Sequence, residues 1–195
     1  MDRLLFDVFE PEKKRFRPTP NTIVYGLWFL TIGFFWLLDG VLPIIKEVRT
    51  YVACGIVLIS LYYLITAFFT YEPLKGVLKG KIIFNNEAII VNEKVYDLKN
   101  IKGLDFGFIN YYGELSTSFR GNFNPLISQG VNNFIKFTDG NNQSVQVYFR
   151  IQGKHGSQAL YPFINEAVKC GAMTYYRAID LIDVENVTKP INQLF

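Results

Sequence analysis

The residues of this sequence that could do metal or nucleophilic chemistry are few, because it has one histidine and two cysteines. A zinc site needs several histidine or cysteine ligands close together, and Cys54 and Cys170 lie in separate parts of the chain. His155 precedes Ser157 by two residues. An activated hydroxyl needs a base that a third group orients, and adjacency in sequence does not supply that geometry. We therefore expect no catalytic residue, no metal site, no cofactor and no enzymatic activity.

Phosphate chemistry and nucleic-acid binding have no support in the sequence either. The glycine-rich phosphate-binding patterns GxxxxGK[ST] and GxGxxG do not occur. The formal net charge is +3, and no dense stripe of lysine and arginine accompanies it. Nucleic acid is therefore not an expected partner.

A segment between residues 110 and 132 combines the residue types that dominate protein-binding sites, namely aromatic residues and an arginine. Irregular connections longer than about 12–15 residues are uncommon in compact domains and are often functional. Alternatively, Leu115–Arg120 forms a further strand, which shortens the loop to an ordinary length. The residues expected to contact a partner protein are Tyr111, Tyr112, Phe119, Arg120 and Phe123.

Two long runs near the N-terminus contain no charged residue. They extend over Pro18–Leu38 and Thr50–Tyr71, which is 21 and 22 residues. At 1.5 Å per residue each run reaches about 30 Å as a helix, the thickness of a bilayer's hydrocarbon core. A chain of 195 residues is too short to enclose two such helices in a soluble core. We therefore expect a two-helix transmembrane hairpin in contact with the lipid bilayer.

The cations that flank these runs predict the orientation of the hairpin, because short cytoplasmic segments retain lysine and arginine. More cations lie before the first run and after the second than between them. We expect both termini to be cytoplasmic. The cations outside are Arg3, Lys13, Lys14, Arg15, Arg17, Lys75, Lys79 and Lys81, and those between the runs are Lys46 and Arg49.

Small residues recur at seven-residue spacing in both runs, which keeps each set on one stripe of a helix. Helices in lipid associate through close backbone approach at small residues. The two stripes either face each other within one hairpin or form a seam between copies of the chain. The residues are Gly26, Gly33 and Gly40 in the first run and Ala53, Ser60 and Ala67 in the second.

The segment before the first run is also apolar on one side. Leu4, Phe6 and Val8 belong to a broad apolar arc, with Arg3 and Asp7 on the opposite side. Such a segment can form a short helix that lies in the membrane interface. The alternatives are a frayed tail or a segment that packs on the soluble part.

After Pro73 the pattern changes to short runs of Ile, Val, Phe and Tyr divided by Asn, Gly and Asp, which is typical of strands and turns. The pair Asp139-Gly140 predicts a hairpin. Residues 157–169 have an apolar stripe at helical spacing, and Gly171 follows as a C-terminal cap. The candidate strands are Lys81–Phe84, Ala88–Val91, Lys94–Asp97, Ile101–Ile109, Asn133–Thr138 and Ser144–Arg150.

Three parts of this region carry a resemblance: KIIFNNEAIIVNEKVYDLKNIKGLDF, the later hairpin FIKFTDGNNQSVQVYF, and the terminal helix. Together they resemble the bacterial pleckstrin-homology-like (PH-like) domains over about half of the chain. The resemblance implies an antiparallel bent sheet or barrel capped by one C-terminal helix, and binding rather than chemistry. Lipid-binding members place basic residues around the first hairpin. The turn Asn85–Glu87 has no cation, so phosphoinositide binding is not assigned.

The sequence therefore predicts a membrane α-helical hairpin plus a mainly β (α+β) soluble domain. Four parts are expected: a cytoplasmic N-terminal segment (1–17), the transmembrane hairpin (18–72), a PH-like domain (76–171) and a C-terminal tail (172–195). The tail can pack on the domain or dock a partner. Because its strands begin after the hairpin, we expect residues 76–195 to fold alone.

The expected function is that of a non-enzymatic interaction or scaffold protein. Its PH-like domain would bind a partner protein at the inner face of a bacterial cytoplasmic membrane. The alternative is a ligand-sensing membrane effector that acts through a homo-oligomer of transmembrane hairpins.

Overall fold

The computed structural model describes residues 3–13, 17–38, 45–116 and 122–183. The chain divides into two compact units. The first unit comprises Met1–Glu12, Leu74–Glu114 and Ser128–Phe195. The second comprises Lys13–Pro73 and Leu115–Ile127. Each unit therefore combines parts of the chain that are distant in sequence.

Strands and helices follow one another along the chain with few long connections. The strands are β1 (Leu4–Pro11), β2 (Gly76–Phe84), β3 (Ala88–Val91), β4 (Lys94–Asp97), β5 (Lys102–Gly107), β6 (Tyr112–Leu115), β7 (Ile127–Gln129), β8 (Asn133–Thr138) and β9 (Ser144–Arg150). The helices are α1 (Pro20–Leu38), α2 (Ile45–Ala67), α3 (Tyr161–Lys169) and α4 (Tyr175–Asp183).

The first unit is built on a seven-stranded sheet with the order β4-β3-β2-β1-β9-β8-β5. All its strand pairs are antiparallel. Strands β6 and β7 form a separate two-stranded sheet. One face of the large sheet carries an aromatic core, in which the ring of Phe84 lies 5.0 Å from Phe163 of α3 and 6.1 Å from Phe149. The sequence-based expectation of a large antiparallel sheet with a C-terminal helix is confirmed at this level.

Strand β1 lies in the middle of the sheet, between β2 and β9. It pairs with both neighbours, as in Phe6↔Ile82 and Phe9↔Tyr148. Phe6 and Val8 are buried in the core of the unit. The prediction of an interfacial helix before the first apolar run is therefore wrong, and the alternative of packing on the soluble part holds. The β domain also does not begin at residue 76, because its central strand precedes the apolar helices.

Helices α3 and α4 both cover the core. Gly171 ends α3 at a φ of 75°, and the amide of Ala172 donates to the carbonyl of Ala167 at 2.9 Å. This is the glycine cap that the sequence predicts. Helix α4 occupies part of the predicted tail. Its buried residues Ala178, Leu181 and Ile182 belong to the core, so this part of the tail packs on the domain.

The connection between α3 and α4 also covers the outer edge of β5. The carbonyl of Ala172 accepts the amide of Leu104 at 2.9 Å. Arg177 of α4 donates from Nε to Asp105 at 2.6 Å and from Nη2 to the carbonyl of Phe106 at 2.9 Å. An edge strand with unpaired backbone groups invites pairing with other chains. The C-terminal segment therefore both closes the core and protects this edge.

The turn between β3 and β4 places two non-glycine residues at positive φ. Asn92 has a φ of 46° and Glu93 a φ of 76°. Two consecutive positive φ values define the type I′ hairpin turn, which favours Asn-Gly. Side chains larger than glycine's are strained in this region, and asparagine tolerates it better than glutamate.

Replacing Glu93 by Gly is therefore expected to stabilise the protein by about 0.5–1 kcal/mol. Chemical denaturation of the two proteins under identical conditions measures the difference. The control is Glu87→Gly in the turn before β3, where no positive φ occurs. Equal destabilisation by both changes would contradict the assignment of the turn.

The second unit contains α1 and α2, which are long and apolar enough to cross a membrane. The candidate spans are Pro20–Leu37 and Val48–Ala67, and 11% of each is buried. Their packed sides include Val24 and Phe35 of α1 and Ile56 of α2. The indole Nε1 of Trp28 lies 3.3 Å from Oγ of Ser60 and links the two helices.

Candidate functional site

The first unit has an open cleft of about 270 Å³. It is lined by Phe108, Ile109, Asn110, Tyr111, Glu114, Asn133, Ile151, Lys154, His155, Ser157 and Gln158. These residues come from three parts of the chain: the segment after β5, the start of β8, and the connection from β9 to α3. The cleft therefore depends on long-range packing of the domain.

Asn133 fixes one wall of the cleft. It is completely buried, and its side chain forms four hydrogen bonds. Oδ1 accepts the amides of Ile109 at 2.8 Å and Asn110 at 3.2 Å. Nδ2 donates to the carbonyls of Asn110 at 2.7 Å and Gly130 at 2.8 Å. A buried amide side chain with these partners holds two loops in one arrangement.

The turn Tyr111–Glu114 forms the next part of the lining. The amide of Glu114 donates to the carbonyl of Tyr111 at 3.2 Å, and Gly113 has a φ of 84°. A type II turn requires a residue with positive φ at this third position, and glycine is the usual choice. The carboxylate of Glu114 accepts the amide of Tyr111 through Oε2 at 3.1 Å. The carboxylate is thereby held at the cleft.

Gly130 allows the chain to pass close behind this turn. Its φ is 69°, and a Cβ at this position would clash with the backbone of Tyr111 and Tyr112 and lie 2.6 Å from the carbonyl of Ile151. The amide of Tyr112 donates to that carbonyl at 2.8 Å, and the amide of Ile151 donates to Gly130 at 2.9 Å. The apolar side of the cleft at Ile151 is therefore rigidly connected to the turn.

The rim of the cleft is formed by the turn Gly153–Gly156, which is closed by a 2.9 Å hydrogen bond from the amide of Gly156 to the carbonyl of Gly153. Lys154 and His155 occupy its two central positions, and both are exposed. Neither side chain forms an ion pair or hydrogen bond with a residue in the described ranges. The rim therefore offers an ammonium group and an imidazole to a ligand.

The cleft suits binding by hydrogen bonds, charge and apolar contact. Ser157, the hydroxyl that sequence adjacency places near His155, is 2% exposed and so has little access to solvent. In the described ranges no group of three or more His, Cys, Asp or Glu residues is placed to hold a metal ion. The lack of catalytic chemistry remains an expectation from the sequence.

The residues predicted to bind a partner do not form one group. Tyr111 lines the cleft, and Tyr112 lies beside it with its ring 4.1 Å from the guanidinium carbon of Arg150. Phe123 belongs to the second unit. Phe119 and Arg120 lie outside the described residues. The alternative is a strand over Leu115–Arg120. Strand β6 ends at Leu115, and residues 117–120 lie outside the described residues, so this alternative stays a prediction.

Phe123 is part of a strap, residues 122–127, that packs on α1 and α2 within the second unit. The amide of Phe123 donates to Oδ1 of Asn21 at 2.6 Å, and Nδ2 of Asn21 donates to Asn122 at 3.1 Å. The ring of Phe123 lies edge-on to Tyr25, with centroids 5.6 Å apart. This part of the predicted loop is therefore held against the start of α1.

The strap also reaches the end of α2. The amide of Leu126 donates to the carbonyl of Ala67 at 2.9 Å, and the amide of Glu72 donates to the carbonyl of Ile127 at 2.8 Å. Leu126 is 1% exposed. The last carbonyls of a helix lack partners within the helix, and the strap supplies one. The strap therefore joins the first turn of α1 to the last turn of α2.

The small residues of the two helices do not share one role. A Cβ added at Gly26 or Gly33 would meet nothing within 4 Å, so these glycines face open space rather than α2. Ser60 and Ala67 lie on the packed side of α2, where Ser60 bonds to Trp28. Ala53 is half-buried, and Gly40 lies outside the described residues. The two stripes therefore do not face each other as one of the two hypotheses required.

Sequence reasoning missed Asn133 and the rim residue Lys154. An asparagine at the start of a strand is ordinary, and its four partners come together only in the fold. In the sequence, the glycines that flank Lys154 and His155 were a weak indication of the rim turn.

We find no family model, curated protein or solved structure that matches this chain.

Proposed function

We propose that this chain is a membrane-anchored interaction module without enzymatic activity. Its β domain is PH-like, lies at the cytoplasmic face of a bacterial cytoplasmic membrane and binds a partner protein there. The support for a PH-like domain is a large antiparallel sheet in which β1 to β4 pair in chain order and β8 pairs with β9, together with the C-terminal helices α3 and α4 that cover its core. The resemblance in sequence covers β3, β4 and helix α3, most of β5, β8 and β9, and part of β2, and it does not include β1.

The exposed surface of α1 and α2 supports the membrane anchor. Phe29 and Trp36 of α1 are 79% and 78% exposed, and Leu58 of α2 is 67% exposed. Soluble monomers rarely expose a continuous apolar surface over two helices. The acyl chains of a bilayer can cover that apolar surface. The backbone N–H and C=O groups inside each helix are already hydrogen-bonded, so they need no water.

One observation carries the proposal: the two apolar helices are inserted between two paired strands of the domain. Glu12 ends the segment that contains β1, and Lys75 immediately precedes β2. The amide of Glu12 donates to the carbonyl of Lys75 at 2.9 Å. Both connections to the helices therefore leave the sheet at one point. The domain is therefore tethered to its anchor through two neighbouring strands, one of them central to the sheet. Such a double tether suits a module that holds a binding surface at a membrane.

The same pairing bears on orientation. In the proposed arrangement both chain connections lie on the same side of the bilayer, and the pairing of β1 with β2 and the even number of candidate spans support this. The excess of flanking lysine and arginine predicts that this side is the cytoplasm.

Phosphoinositide is not the proposed ligand. The turn after β2 is occupied by its own side chain, because Oδ1 of Asn85 accepts the amides of Glu87 at 3.0 Å and Ala88 at 2.6 Å. This arrangement holds the turn without a cation. The cleft, which lies elsewhere in the domain, is the proposed binding surface.

A second candidate function is a ligand-sensing effector that acts through a homo-oligomer of hairpins. The open side of α1 at Gly26 and Gly33 favours it, because small residues permit close approach of another helix in lipid.

Photocrosslinking in the membranes of the native host separates the two candidates. A photoreactive amino acid replaces Gln152, which is exposed and directly precedes the rim turn, and in a control protein it replaces Lys136, exposed on β8. One protein trapped from position 152 and not from position 136 is the result that the proposal requires. Adducts with the same chain alone would favour the effector, and no adduct from position 152 would reject partner binding at the cleft.

A further inference from the structure

The cleft combines three kinds of group whose placement indicates a ligand class. One rim carries Lys154 and His155, which are exposed and have no bonding partner among the described residues. The turn Tyr111–Glu114 carries the carboxylate of Glu114, whose Oε2 accepts a hydrogen bond from the amide of Tyr111. Apolar side chains of Phe108, Tyr111 and Ile151 complete the lining. A ligand that matches all three needs an anion, a hydrogen-bond donor and an apolar group.

We propose that the cleft binds an α-amino-acid unit with a free carboxylate and an apolar side chain. Its carboxylate pairs with the ammonium of Lys154 and accepts a hydrogen bond from His155. Its nitrogen donates to the remaining acceptor capacity of Glu114, since a carboxylate accepts several hydrogen bonds. Its side chain packs on the aromatic and aliphatic lining.

The size of the cleft fits this class. Pockets for drug-sized ligands span about 300–1,000 Å³, and the volume of about 270 Å³ lies just below that range. It is large enough for one amino-acid unit, and the rest of a peptide would extend out of its open side. Asn133 already fixes one wall, so this wall requires little ordering when a ligand binds.

Two sources offer this chemistry: the C-terminal residue of a protein, and a free amino acid. The protein terminus rests on the proposed function, because it would belong to the partner that the domain holds at the membrane. The free amino acid does not depend on the proposed function.

Binding is measured on the full chain in lipid nanodiscs by ligand-observed NMR titration. The probes are the tetrapeptide Ala-Ala-Ala-Leu with a free carboxylate, the same peptide with a C-terminal amide, and free leucine. The free-carboxylate peptide is expected to bind, and the amide about tenfold or more weaker, because it lacks the charge that pairs with Lys154.

The variant Lys154→Gln combined with His155→Gln tests the rim. Exposed charge pairs contribute little individually, so the double change is expected to weaken binding about tenfold. Both residues are exposed and without bonding partners in the described ranges, so the fold should be unaffected. The matched control is Lys136→Gln on β8, which removes the same charge away from the cleft and should leave binding unchanged.

The possible binding results lead to three different conclusions about the cleft. Binding of the free-carboxylate peptide that is lost on amidation and weakened by the rim variant supports the proposal with a protein terminus as the source. Binding of free leucine alone, also sensitive to the rim variant, supports the cleft chemistry and assigns a small-molecule source. Equal binding of acid and amide, no effect of the rim variant, or no binding of any probe overturns the proposal. Crosslinking from position 152 tests the proposed function separately.

Discussion

A protein that begins at Gly76 is expected not to fold, although it contains six of the seven strands of the large sheet. Removal of β1 takes Phe6, Val8 and Phe9 out of their buried positions. Burial of each such side chain contributes about 1.5–3 kcal/mol, so their loss approaches the total stability of a typical domain, about 5–15 kcal/mol. The pairing edges of β2 and β9 would also be left open, which promotes aggregation. Solubility and the cooperativity of thermal unfolding measure the effect.

The matched protein retains β1 and lacks only the inserted helices. Residues 3–12 are joined to residue 75 by an Asn-Gly turn, because the backbone of Glu12 already bonds to Lys75. Leu126→Ser is added, because Leu126 is buried in the second unit and removal of the helices would expose it. This shorter protein is expected to be soluble, with a mainly β circular-dichroism spectrum and cooperative unfolding. If the protein starting at Gly76 unfolded cooperatively at the same temperature, β1 would not be the central strand described above.

Replacement of Asn133 by Ala is expected to destabilise the domain by about 3 kcal/mol or more, because buried donors and acceptors lose their partners. The affected groups are the amides of Ile109 and Asn110 and the carbonyls of Asn110 and Gly130. The same change should abolish ligand binding at the cleft. Chemical denaturation of the full chain in nanodiscs measures the loss of stability.

The neighbouring Asn132 provides the control. Its side chain is exposed, and replacement by Ala changes the same residue type one position earlier. We expect this variant to lose less than about 0.5 kcal/mol, as is usual for surface substitutions. Similar losses at positions 132 and 133 would show that the four bonds of Asn133 contribute little.

Strands with local pairing were predictable from the sequence. The bounds of β3, β4, β8 and β9 agree with the predictions, since each is a short run divided from its partner by turn residues. Asp139 even holds its hairpin by accepting the amides of Asn141 and Gln143, both at 2.9 Å. The residue with positive φ in that turn is Asn142 rather than Gly140. The turn residues and the short apolar runs beside them therefore predicted the bounds of these strands and most features of their turns.

Strand β1 was not predictable for two physical reasons. Its partners lie about 70 and 140 residues away in sequence, as in Asp7↔Lys81 and Val8↔Phe149, and no local pattern reports such pairing. Val8 and Phe9 are also both buried, so the alternation that marks a half-exposed strand is absent. The apolar segment therefore fitted a helix equally well.

The candidate site depends even more on the fold. The turn with Gly113 and the bracketing glycines of the rim are visible in sequence, but their joint position beside Asn133 is not. The sequence singles out the segment 110–132 as unusual. Its first part lines the cleft in the first unit, and residues 122–127 form the strap in the second unit. The hypothesis of one binding loop did not distinguish these two roles.

The central claim is that the apolar helices are inserted between β1 and β2. Disulfide formation in the full chain in its membrane tests it most directly, using Asp7→Cys and Lys81→Cys with Cys54 and Cys170 replaced by Ser. Asp7 and Lys81 are register partners whose side chains form an ion pair. Paired positions on adjacent strands fall within the Cα separation of about 4.4–6.8 Å that a disulfide needs.

The control pair is Asp7→Cys with Val95→Cys, because β4 lies three strands from β1, at about 14 Å. After mild oxidation and proteolytic cleavage between α1 and α2, the 7–81 pair is expected to keep the two fragments joined until a reductant is added, and the 7–95 pair is not. Fragments that separate for the 7–81 pair, or that remain joined equally for both pairs, would contradict the insertion of the helices into the domain.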